Sequence, residues 1–214
     1  QMPQCVSLFD IRDQGSCSSC WAFATAEVMS DRICIKSQGK EQPIISTTHI
    51  IGCCSYCGWF LGGCYGGLPY FAFLFAKNKG VPTGGPYNTT DTCKPYVFEP
   101  CEHHGMNGTR EQCSPKKKHK VACEDTCIED YPKTLEEDLY FGEDAYFVGM
   151  KEEKIMTEIY ERGSVTVIYD VYEDFFSFGT GIYQHKTGEL VGAHAVKFIG
   201  WGIENVKYFI KLYF

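Results

Sequence analysis

Cys20 stands in the string Gln14-Gly15-Ser16-Cys17-Ser18-Ser19-Cys20-Trp21, in a chain of 214 residues whose thirteen cysteines cannot all pair. A leftover thiol in a cysteine-rich chain is either a liability or a tool. Here it opens an apolar helical run, Trp21-Ala22-Phe23-Ala24-Thr25-Ala26-Glu27-Val28-Met29. At a helix N-terminus a thiol feels the positive end of the macrodipole, which favours the thiolate and therefore nucleophilic attack. Two other chemistries share the spacing. Cys17-x-x-Cys20 could be a redox pair, although no βαβ pattern surrounds it, and with Cys54-x-x-Cys57 it could form a zinc site. Cysteines spread from Cys5 to Cys127 fit a disulfide framework better than a metal site.

A cysteine nucleophile needs a base, and the six histidines are His49, His103, His104, His119, His185 and His194. His194 lies in Gly192-Ala193-His194-Ala195-Val196, where small neighbours leave its ring room on an expected strand. A satisfied strand histidine is the plainer reading of that position. A thiolate–imidazolium pair drawn from distant parts of the chain is the logic of a cysteine hydrolase.

The elements that would position such a pair follow from periodicity. Helices are expected from Cys20 to about Lys36, from Leu68 to Lys79 before Gly80-Val81-Pro82, and from Lys151 to Arg162 before Gly163. The glycine and cysteine stretch 52–67 reads as too constrained for regular structure, and 84–130 as a long stapled loop. Then come β-rich runs: Ser164 to Tyr172, Gly181 to His185, Ala193 to Trp201 and Val206 to Phe214. A helical, disulfide-rich half followed by a β half predicts an α+β fold with a cleft between two lobes.

Composition sets the setting. The 24.2 kDa chain can bury one core or two that share an interface. Its cysteine usage points to an oxidising compartment, and the sequons Asn88-Thr89-Thr90 and Asn107-Gly108-Thr109 agree as glycosylation candidates. A net charge of −7 and a pI near 5.4 argue against nucleic acid as a partner. The basic run Lys116-Lys117-Lys118-His119-Lys120 reads as a solvated loop. No segment reaches a membrane-spanning apolar length. Gln1-Met2-Pro3-Gln4-Cys5 lacks a signal-peptide pattern, so the chain is expected to be a processed or partial form.

These residues carry a family resemblance. Gln-Gly-Ser-Cys-x-Ser-Cys-Trp-Ala-Phe, with the downstream Gly-x-His-Ala-Val-x-x-x-Gly-Trp-Gly, resembles the papain-type cysteine peptidases. The similarity is closer to the cathepsin B branch, through Ser30-Asp31-Arg32-Ile33-Cys34-Ile35, Tyr70 to Gly85, Cys93-Lys94-Pro95-Tyr96 and Cys101-Glu102-His103-His104. It implies a papain-like two-lobed fold, with a β-barrel-like C-terminal lobe and the active-site cleft between the lobes. Residues 1–214 would form one peptidase domain, helical and disulfide-rich over about 1–130 and mainly β over about 131–214.

By the same resemblance Cys20 is the nucleophile and His194 its partner. Gln14 donates to the oxyanion, and Gly66 and Gly67 line the non-primed cleft wall. The implied disulfides are Cys5–Cys34, Cys17–Cys64, Cys53–Cys123, Cys54–Cys57, Cys93–Cys127 and Cys101–Cys113. The last closes an occluding-type loop whose His103 and His104 would receive a substrate's C-terminal carboxylate, giving endopeptidase and peptidyl-dipeptidase activity. No cofactor and no metal is implied. Peptide and protein substrates, a propeptide (hence a zymogen) and cystatin-like inhibitors are, and so is a lysosomal or secreted, acidic setting.

Four departures stand against the pattern. Ser18 replaces a glycine, Tyr65 an asparagine, and Ser164 a proline, while no Asn-Ser-Trp follows the histidine strand. A catalytically impaired relative that binds peptides or inhibitors is therefore the rival reading. With no candidate to orient the imidazole, residues 1–214 alone are expected to form an incomplete β lobe of low stability and activity.

Overall fold

The computed structural model of the chain describes residues 4–58, 63–103, 108–114, 120–204 and 207–213, the last stretch and residues 203–204 by backbone alone. Its centre is α1 (Cys20–Lys36), buried along most of its length through Trp21, Ala22, Phe23, Ala24, Ala26, Val28, Met29 and Cys34. A helix apolar on so many sides must be covered on so many sides. Alanines at 22, 24 and 26 let its neighbours approach closely.

On one side of α1 lie α2 (Thr47–Cys53) and α3 (Pro69–Lys79), packed with Ile45, Ile50, Ala72, Phe75, Ala76 and Val81 around Trp21. The Ser46 side chain caps α2 by accepting from the His49 N–H. Pro69 opens α3 at a position where no N–H is missed, and Gly80, at φ +75°, ends it. The expected α3 and the expected 151–162 helix appear within a residue of their anticipated bounds; α2 lies partly in the stretch 52–67 and was not anticipated.

On the other side of α1 lie α4 (Glu152–Arg162) and a three-stranded antiparallel sheet in the order β1-β2-β3, with β1 Val165–Tyr172, β2 Leu190–Glu204 and β3 Lys207–Tyr213. β1 pairs with β2 in a register that sets Tyr169 opposite His194 and Thr166 opposite Lys197. The expected strand at Gly181–His185 is a loop instead. Asp174 draws it in, accepting from the Tyr183 hydroxyl at 2.6 Å and the Lys186 N–H at 2.8 Å, with His185 Nδ1 at 3.1 Å.

The lobes meet on a buried charge cluster. Lys197 of β2 is fully buried and lies 3.8 Å from Glu27 and 3.5 Å from Asp31, both on α1, while donating to the Ser7 carbonyl. The Ser164 hydroxyl donates to Asp31 Oδ2 at 2.6 Å. The departure from proline at 164 thus supplies a donor to a buried carboxylate. Arg32 bridges α1 to α4, with Nε on the Ser164 carbonyl and Nη2 on Glu158, both at 2.9 Å.

Six disulfides join Cys5–Cys34, Cys17–Cys64, Cys53–Cys123, Cys54–Cys57, Cys93–Cys127 and Cys101–Cys113. Three of them tie down residues 84–130, which hold no helix or strand among the described residues beyond an isolated bridge at Glu102–Gln112.

Candidate active site

Cys20 is the free cysteine and the first residue of α1. Burial pushes its thiol up from the ordinary value. Backbone N–H groups of Ala195, Trp21 and Cys20 itself pull it down without cancelling that effect. The helix start therefore acts in the anticipated direction but is outweighed by desolvation. A thiolate here needs a neighbouring cation.

The contact with Ala195 is the informative one. It brings the middle of β2 onto the start of α1, one residue from His194. Across the ladder Tyr169 presents its ring edge-on to the His194 imidazole, with centroids 6.1 Å apart. Burial, with the Cys20 charge nearby, keeps the Tyr169 phenol protonated. Sequence reasoning passed over Tyr169, which only the strand register reveals.

Gln14 lies in a tightly held turn. Gly15 takes φ +57°, and a Cβ there would meet the Glu99 carbonyl at 2.7 Å, so only glycine fits. Asp13 Oδ1 accepts from the Gly15 N–H at 2.7 Å. The buried Tyr96 hydroxyl donates to the Gln14 carbonyl at 2.7 Å and sits 2.8 Å from Ser19 Oγ. A phenol has one proton, so the Ser19 hydroxyl donates to it. Tyr96 thereby links Gln14 to the residue before Cys20, and its own ring packs edge-on against Phe23 at 4.8 Å.

The Cys101–Cys113 loop is anchored on the same turn. His103 Nε2 lies 3.1 Å from Asp13 Oδ1, and Arg110 Nη1 lies 3.2 Å from Asp13 Oδ2. The Ser114 N–H donates to Ser16 Oγ at 2.9 Å. His104 and Asn107 fall outside the described residues, as does His119. Cys101, His103 and Cys113 cluster closely enough for a metal, but the two cysteines are bonded to each other.

The remaining candidates separate clearly. Gly66, at φ +87°, has no atom within 4 Å of a would-be Cβ, so the wall there is open. Gly67 is glycine for an internal reason: a Cβ would strike Trp21 and the Cys57 carbonyl at 2.7 Å. Ser18 pairs with Tyr65 in an isolated bridge and has no left-handed backbone, so serine is accommodated without strain. Asn88 is exposed on a loop at φ +62°. His185 stacks on Tyr172 at 3.8 Å and faces Asp174, while His49 belongs to α2.

A family model described as "Papain family cysteine protease" matches residues 2–212. The chain is 44% identical over 204 residues to "Cathepsin B-like cysteine proteinase 6" of Caenorhabditis elegans, covering 95% of this chain and 53% of that protein. It is 44% identical over 205 residues to "Cathepsin B-like cysteine proteinase 1" of Ostertagia ostertagi, covering 96% of this chain and 59% of that protein. Among solved structures, proCathepsin B S9 from Trypanosoma congolense superposes with a TM-score of 0.77 at 32% identity, covering 98% of this chain and 62% of that one. The chain thus spans little more than half the length of these curated relatives.

Proposed function

The chain belongs to the papain family of cysteine proteases and has its papain-like fold, and from that premise we propose that it is a cathepsin B-like cysteine peptidase that hydrolyses peptide bonds through an acyl-enzyme on Cys20. The observation that carries this reading is the approach of β2 at Ala195 to the Cys20 thiol, beside His194. His194 takes the proton of the Cys20 thiol, Cys20 Sγ attacks the scissile carbonyl carbon, and a tetrahedral oxyanion forms. The Gln14 side-chain amide and the Cys20 N–H donate to that oxyanion. The C–N bond then breaks, and His194 passes its proton to the leaving amine. Water next attacks the thioester carbonyl as His194 takes its proton; the C–S bond then breaks, His194 returns the proton to the Cys20 sulfur, and the new carboxylic acid leaves.

The anchored loop supports a peptidyl-dipeptidase mode in which His103 and His104 receive a C-terminal carboxylate. A protonated imidazole makes that bond charge-assisted, which favours acidic conditions. Peptide and protein substrates, a propeptide and cystatin-like inhibitors are the corresponding partners, and a lysosomal or secreted location fits the disulfide framework. One peptidase domain with a helical and a β portion accounts for the chain.

The test uses the full-length mature protein. A thiol-reactive peptidyl epoxide should label Cys20, and Cys20→Ser should abolish both labelling and turnover while retaining all six disulfides. A folded protein that neither reacts nor turns over would overturn the catalytic reading in favour of a silent peptide-binding relative.

A further inference from the structure

Between α2, residues 94–98 and residues 120–124 lies a cavity of about 330 Å³ that shares no residue with the Cys20–His194 site. That volume falls in the range of small-molecule pockets. Its lining divides by chemistry. Val97, Phe98 and Val121 give it an apolar wall, and Lys94 and His49 give it a basic end.

Lys94 is only 7% exposed, a depth at which an ammonium calls for an anion. Its partner is Glu124, with Oε2 at 3.2 Å, but the Glu124 side chain is 69% exposed and can turn to solvent. His49 stands beside Lys94 on the neighbouring helix. Burial and the Lys94 charge hold its imidazole down to about 4. Its Nδ1 faces the Cys53 sulfur at 3.6 Å. The remaining charged group on the lining is Lys120. The cavity therefore has one deeply buried cation whose counter-ion is an exposed surface carboxylate, next to a hydrocarbon wall.

We propose that this cavity binds a small apolar carboxylate, its anionic head on Lys94 in place of Glu124 and its hydrocarbon against Val97, Phe98 and Val121. An ion pair at a buried ammonium is charge-assisted, and the apolar tail adds area-dependent affinity that a bare anion lacks. Phe98 also backs the turn that carries Gln14. Its Cβ lies 3.2 Å from where a Gly15 Cβ would sit, and its ring is 5.5 Å from that of Tyr96. An occupant is thus one side chain away from the Gln14 turn without touching it. The proposal is independent of the peptidase reading, because its test measures binding.

The experiment titrates sodium hexanoate into the full-length mature protein carrying Cys20→Ser at pH 6, by calorimetry and by NMR of the histidine rings. Hexan-1-ol, hexylamine and acetate are the controls. Hexanoate should bind more tightly than all three and move the His49 resonances, since a bound anion beside His49 favours its protonated form. Lys94→Met should weaken hexanoate binding about tenfold or more, the loss of a bond to a charged group, and leave hexan-1-ol unchanged. Glu124→Gln should tighten it by removing the competing carboxylate, and this variant decides the matter if Lys94→Met does not fold. No hexanoate binding, binding no tighter than hexan-1-ol, or binding indifferent to Glu124→Gln would each overturn the proposal.

Discussion

Tyr96 holds the Gln14 carbonyl and the Ser19 hydroxyl with a single phenol, so it fixes both flanks of the segment that ends in Cys20. Tyr96→Phe keeps the ring packed on Phe23 and removes only those bonds. Stability should fall by about 1–2 kcal/mol, the usual size of a lost buried hydrogen bond. Under the role proposed for Gln14, kcat/KM should fall by roughly tenfold or more, because its side-chain amide loses its positioning. Steady-state kinetics beside thermal unfolding separates the two, and unchanged kinetics would show that the Gln14 turn holds without the phenol. Ser164 acts elsewhere. Ser164→Ala strips the donor from Asp31 Oδ2 and should cost about 1–3 kcal/mol of stability with kcat unchanged. Equal melting temperatures for variant and parent would refute that role.

At the level of elements, the Cys101–Cys113 loop hangs on Asp13 through His103 and Arg110. Asp13→Ala should release both anchors. Under the carboxylate-binding role proposed for His103, removal of C-terminal dipeptides should then drop several-fold while cleavage of internal bonds rises, measured on matched peptides with free and amidated C-termini. If the ratio of the two rates does not move, the loop is held by something other than Asp13. The elements themselves were legible to different degrees. α1 announces itself by a long apolar run, α3 by one bounded by Pro69 and Gly80, and β2 by its β-branched and small residues. α2 escaped notice because seven residues containing Thr, His, Gly and Cys carry no clear period, and its signal is the Ser46 cap alone. Gly181–His185 reads as a β-rich run through Ile182 and Tyr183, yet Asp174 captures its side chains and the following N–H groups, diverting them from any ladder. Cys20 and His194 were readable as candidates from residue type. Asp13 and Tyr96 were not, since their bonds reach across 90 and 82 residues and local spacing says nothing of them.

Across the whole molecule, two buried groups pull stability in opposite directions with pH. Burial raises the Glu27 carboxyl to about 7 from 4.5, and Lys197 and Arg12 reduce that rise without cancelling it. The folded chain keeps a proton there that the unfolded chain gives up above pH 4.5, so this group costs stability as pH climbs from about 4.5 to 7. His49 runs the other way. Its folded imidazole stays neutral down to about pH 4 while the unfolded one charges below 6.5, so stability falls as pH drops through that window. Each shift is worth up to roughly 3 kcal/mol. Thermal unfolding across pH 4–8 should show Glu27→Gln flattening the loss toward neutrality and His49→Gln flattening the loss toward acid. A variant curve parallel to that of the parent would remove that residue from the account.

Lys197 and His194 lie three residues apart on β2, so successive side chains alternating across the sheet send them to opposite faces. A slip of β2 by one residue would turn His194 to the other face of the sheet and, in the same movement, withdraw the ammonium from Glu27 and Asp31. Two carboxylates would then be left in the interior without their lysine, a penalty of several kcal/mol. The ion cluster thus sets an energetic penalty on the misthreaded strand, and the register that satisfies it is the one that places His194 opposite Tyr169. Lys197→Met should therefore refold from the reduced chain to a mixture of species with a lower native yield, even where the purified native variant is stable. A single product at parental yield would mean that the strand finds its register unaided.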